Sequence, residues 1–150
     1  MNSFVDVVDV IVSKLLSGNA ASFALAKWGK ALAVNKMFKH RTEIGLSELP
    51  LIMITRPEVV PDNWTLGERE YKHLLRFYFG FHQPDKSLAQ DEIIQFEEAI
   101  EDDFLSYKES GSLPAGVWDI DSKAAINDEG YFHPVYFAVK DVEIFTARQL

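Results

Sequence analysis

Cysteine is absent from all 150 residues. That absence excludes a disulfide framework, a thiolate zinc site and a cysteine nucleophile, and it suits a reducing cytoplasm. Basic residues are scarce beside acidic ones, 15 against 23, which leaves a formal charge of −8 and a pI near 4.9. Nucleic-acid binders carry a basic patch that displaces counterions from phosphate, so this balance weighs against RNA. Long apolar runs are missing as well. The opening MNSFVDVVDVIVSKLL has no basic n-region and is interrupted by acids, which makes a poor signal peptide. No run approaches the ~20 apolar residues of a membrane helix, so the sequon Asn63-Trp64-Thr65 is read as chance. Walker A, GxSxG, dinucleotide-glycine and HExxH patterns do not occur. His40, His73, His82 and His133 show no metal-ligand spacing. No catalytic residue, cofactor or metal is expected.

What the chain does contain is globular: 47% hydrophobic and 25% charged residues, without repeats or linkers, expected as a single domain over 1–150. Ser3 followed by Asp6 reads as a helix start, and Phe4, Val8, Ile11, Val12 and Leu15 keep helical spacing until Gly18. Residues 20 to 30 fit a helix or a close-packed connection. From Val34 the alternation in VNKMFKHRTEI indicates an extended, partly exposed strand. LPLIMIT, between Pro50 and Pro57, reads as a buried central strand, and RPEVVPDNWTLGE as a long turn-rich loop reaching Glu70. In YKHLLRFYFGFHQ, alternation puts Tyr71, His73, Leu75, Phe77, Phe79 and Phe81 on a core face and Arg76, Tyr78, Gly80 and His82 on the other. Ser87 and Gln90 suggest a capping box for a helix to about Tyr107, with Ala89, Ile93, Phe96, Ile100 and Phe104 as its buried stripe. A short strand over Val117–Asp121, a turn at INDEG and a final strand or strand pair over Val135–Thr146 complete the chain. The order α, β, β, β, α and further strands predicts an α+β fold, a mostly antiparallel mixed sheet with helices packed on one face.

Three segments invite chemical readings. RFYFGF resembles a base-stacking strand, but Phe77 and Phe79 occupy small-residue positions of the RNP1 pattern and alternation turns them inward, so a core strand is expected. DEIIQFEEAIEDD carries seven carboxylates, read as a solvated helix face that would repel phosphate. DIDSKAAINDEG lacks the glycine and the closing glutamate of a calcium loop, so bound calcium is rejected.

The leading helix, VNKMFKHRTEI, ELPLIMITRPEVV, the aromatic strand, the acidic helix and HPVYFAVKDVEIF together resemble the tail terminator (tail-completion) proteins of long-tailed phages and prophages. That resemblance implies an α+β subunit closing into a hexameric ring on the tail tube, made in the bacterial cytoplasm and carried in the virion tail. Its implied partners are other copies of itself, the tail tube protein and the head–tail connector, with DNA passing unbound. The loop Arg56–Glu70 and the arm Asn19–Glu43 would serve as contacts. Candidate interface residues are Trp64, Arg69, Arg76, Tyr78 and His82. Trp64 and Trp118 stand equally as interface anchors or as core. The alternative is a small acidic domain that blocks a basic protein partner.

Overall fold

Apolar alternation in the aromatic strand meets a helical apolar stripe, and the two bury each other. The computed structural model describes residues 3–36, 48–65 and 68–149. Its elements are α1 (Phe4–Ser17), α2 (Asn19–Trp28), β1 (Ala33–Asn35), β2 (Leu51–Thr65), β3 (Glu68–His82), α3 (Lys86–Glu109), β4 (Val117–Asn127) and β5 (Val135–Gln149). One five-stranded sheet, ordered β1-β2-β3-β5-β4, is antiparallel except between β1 and β2. The fold is α+β. Leu75, Phe77, Phe79 and Phe81 of β3 are buried against Ala89, Ile93, Phe96, Ile100 and Phe104 of α3. Phe96 stands edge-on to Phe79 at 5.4 Å and to Trp28 at 5.1 Å, and Phe77 lies 5.0 Å from Phe104. Each fully buried Phe of this kind contributes about 1.5–3 kcal/mol.

Helices α1 and α2 are separated by a contact remote in sequence. The buried Asp103 carboxylate of α3 accepts the Asn19 N–H at 2.6 Å and the Ala20 N–H at 3.1 Å, capping α2 from 84 residues away. A Cβ on Gly18 would lie 2.3 Å from Asp103 Oδ1, so only glycine admits the carboxylate. By hydropathy alone Phe4–Trp28, 25 residues with an 18-residue window averaging 1.3, resembles a membrane-crossing helix. Broken at Gly18, it forms helices of 14 and 10 residues that bury Val7, Ile11, Leu15, Ala20 and Ala24 in the core.

Several expectations need correction. The stretch from Arg56 is not a loop, because β2 continues to Thr65 and pairs with β3. Register shifts between Thr55 and Glu58 and between Pro61 and Asn63 absorb the residues that looked like breakers. Among the described residues β1 pairs with Leu51–Met53 alone, and no strand pairs with Pro57 or Pro61 on that side. The helix cap is Asp85, not Ser87: its carboxylate accepts from Ser87 N at 2.9 Å and Ser87 Oγ at 2.7 Å, which lowers its pKa. β4 runs on to Asn127 instead of stopping at Asp121, and β5 is one strand. Residues 20–28 are helical. The expected strand from Val34 appears as β1, and its continuation over 37–41 lies outside the described residues.

Candidate functional site

Helices cover one face of the sheet, and the other face carries its own apolar end. The register aligns Asn35, Met53, Tyr78, Val139 and Ile126 in one row, with Ala33, Leu51, Gly80 and Phe137 in the row two residues on, where Asp128 N–H, just past β4, donates to the Phe137 carbonyl. Leu49, Leu51 and Met53 are buried there, with Ala33, Tyr78, Val135 and Phe137 packed against them. The Phe137 ring lies over Gly80, where an added Cβ would sit 2.6 Å from Cδ1, so the glycine in RFYFGF is the seat of a cross-strand ring. Toward the β4 edge the surface becomes apolar and open. Ile126 is 73% exposed, Tyr131 84% and Phe132 58%, and Phe132 packs edge-on to Phe137 at 6.4 Å. A cavity of about 330 Å³ lies among Met53, Tyr78, Ile126, Phe137 and Val139. Clustered exposed apolar side chains of this kind mark protein or membrane contacts or ligand grooves.

Below this patch the same face is zipped by ion pairs. Arg76 meets Asp141 through two bonds, 2.8 and 3.1 Å, and the carboxylate, followed by Tyr78, raises the guanidinium pKa further. Lys123 joins Asp121 (2.8 Å) and Glu143 (2.9 Å), and Lys72 reaches Glu143 at 3.3 Å. Exposed pairs of this type contribute about 0–1 kcal/mol each, so they organise charge more than they stabilise. Of the expected interface residues, Arg76, Tyr78 and His82 share this face. Arg69 sits at an odd position of β3 and falls on the opposite one by alternation. Trp64 pairs with Arg69 through its backbone, and its side chain lies outside the described residues. Trp118 is 49% exposed and contacts Phe145 at 5.2 Å, at the far end of the face. Sequence reasoning missed Ile126, Phe132, Phe137 and Val139. The alternation in HPVYFAVKDV held the signal for the last two.

A second feature lies on the helix side. His73 is buried, its Nε2 2.9 Å from Thr146 Oγ1 and its Nδ1 3.5 Å from an Arg56 nitrogen, with Phe4 against the ring at 3.7 Å. Burial, followed by the Arg56 charge, pushes its pKa down to about 4, so the imidazole is neutral at pH 7. The adjoining cavity of about 310 Å³ is lined by Ser3, Phe4, Arg56, Val59, Tyr71, His73 and Thr146. Among the described residues that line it there is no carboxylate.

The carboxylates of α3 are less solvated than their sequence suggests. Glu92 is buried and accepts from Gln83 Nε2 at 2.8 and 3.0 Å and from Trp28 Nε1 at 3.1 Å. Glu97 and Glu101 flank the buried Lys140 at 3.3 and 3.6 Å, and that ammonium also donates to the Lys123 carbonyl at 2.7 Å. With Asp103 committed to α2, only Asp91, Glu98 and Asp102 of the seven remain fully outward. Among the described residues, no group of three or more His, Asp or Glu could hold a metal ion. No family model matches the chain, and no curated protein matches it.

Proposed function

We propose that this chain is a self-associating structural subunit of the tail-terminator type. It would close into a ring on the end of a phage tail tube, halt tube growth and offer a surface to the head-side connector. The observation that carries this reading is the helix-free sheet face ending in exposed Ile126, Tyr131 and Phe132, a surface suited to protein contact. The resemblance described above supplies the ring and the tube. Six copies at −8 each would carry −48 together, a charge that lets DNA pass without adhering.

The competing reading, an acidic domain blocking a basic partner through α3, has less to rest on, since four of the seven carboxylates are engaged within the fold. Electron microscopy and native mass spectrometry of the purified protein, alone and mixed with tail tubes, test the proposal. Rings, free or on tube ends, are expected. A protein that stays monomeric at high concentration and leaves tubes uncapped would overturn it.

A further inference from the structure

The two outermost strands of the sheet among the described residues, β1 and β4, differ in length and lie four strand spacings apart, about 19 Å. They nonetheless meet the same rows of the register. Val34, Ile52, Phe79, Ala138 and Asn127 form one row, and Asn35, Met53, Tyr78, Val139 and Ile126 the next. Among the described residues no strand pairs with the outer side of either edge, and the outward hydrogen-bonding groups of both fall on matching residues. Asp128 N–H donates to the Phe137 carbonyl, so the alternation of an antiparallel ladder turns the N–H and C=O of Asn127 and Ala125 away from β5. Ala33 N–H donates to the Pro50 carbonyl, so the groups of Val34 point away from β2.

We propose that β4 of one copy pairs antiparallel with β1 of the next, Asn127 opposite Val34 and Ile126 opposite Asn35, so that the sheet continues from subunit to subunit. This identifies the partner of the face described above and rests on the self-associating reading. The strand directions suit it, because β1 runs parallel to β2 and β4 runs antiparallel to β5. Side chains suit it too. Beside β1, on the helix-free face, lies a cavity of about 440 Å³ bordered by Lys30, Ala33, Asn35, Leu49 and Leu51, and Ile126 is the exposed apolar side chain that the pairing delivers to it. One charge also suits it: Lys30 precedes β1 on the side to which the antiparallel pairing brings Glu129, while Lys36, already paired with Asp9, falls opposite Ala125. Because the paired residues lie in one row, each contact adds no rise along the strands. A head-to-tail contact closes into a ring when its rotation does, and the shared row leaves no slip along the strands to open it into a filament.

The chain has no native cysteine, which makes a direct test possible. In the double variant Asn35→Cys/Ile126→Cys the two thiols are too far apart to bridge within one chain, and they face each other across the proposed contact. Oxidation is expected to give a ladder of covalent multimers ending at the ring size, whereas either single variant gives none. Ile126→Lys, at an exposed position, is expected to raise the concentration for half-assembly at least tenfold while leaving the circular dichroism and melting temperature unchanged. Rings that form without a ladder and survive Ile126→Lys overturn the edge pairing and leave the ring reading standing. A ladder that stops at dimers also overturns it. A wild-type chain that never assembles, free or on tubes, removes both.

Discussion

His73 shows how one side chain can tie stability to pH in this protein. Its pKa is about 4 when folded, against an ordinary value of 6.5, because burial and Arg56 disfavour the charged ring. Between those two values the unfolded chain binds more protons than the folded one. The contribution is therefore complete above pH 6.5 and is lost as pH falls toward 4. After allowance for solvent at the ring edge, the loss amounts to about 1–2 kcal/mol. Asp85, Asp121 and Glu143, whose pKa values are lowered, weaken the fold in the same direction at still lower pH. Comparing urea midpoints of the wild type and His73→Gln at pH 7 and pH 5 isolates the histidine. The wild type should lose more over that interval, and parallel profiles would sink the assignment. Position 73 was legible as inward-facing from alternation alone. Its neutrality was not, because Arg56 and Thr146 reach it only through pairing with β2 and β5.

At the scale of elements, β2 marks the limit of reading strands from local sequence. Pro57 and Pro61 are strand breakers in isolation, and the run from Arg56 carried every sign of a loop. Two register shifts, and an edge that no described residue pairs beyond Met53, let the strand keep going. The same residues protect that edge, since a proline offers no N–H to an incoming strand. Replacing both by valine is therefore expected to change stability by no more than about 1 kcal/mol while lowering the aggregation-onset concentration several-fold by light scattering. An unchanged onset would show that the prolines do not guard the edge. β3 and α3 were legible throughout because their periods of 2 and 3.6 are uninterrupted. The carboxylates of α3 were misread as a solvated face because Lys140, the Gly18 backbone gap and Gln83 converge on them only in three dimensions.

For the whole molecule, charge and apolar surface oppose each other. Every copy brings −8 to an assembly whose proposed contact is largely apolar around Ile126. Self-repulsion of that size is screened as the Debye length falls from about 10 Å at 0.1 M salt to about 3 Å at 1 M. Assembly is therefore expected to tighten between 0.05 M and 0.5 M sodium chloride, measured by sedimentation velocity. Weakening with salt would mean that an ion pair such as one between Lys30 and Glu129 dominates the contact. The α+β class and the packing of helices on one face followed from element order, but the apolar end of the opposite face did not, because only the register reveals which rows end in exposed side chains.

The cap that Asp103 places on α2 also has a consequence in time. The carboxylate is translated 84 residues after the Asn19 amide that it holds. At about 5–20 residues per second, synthesis leaves a gap of about 4–17 s. Throughout it, nothing from α3 is present to split Phe4–Trp28 at Gly18. A continuous helix of 25 residues would be about 37 Å long, enough to cross the roughly 30 Å hydrocarbon core of a bilayer. Until α3 is made, the cap that holds the start of α2 is missing, and Gly18 alone separates the two apolar helices.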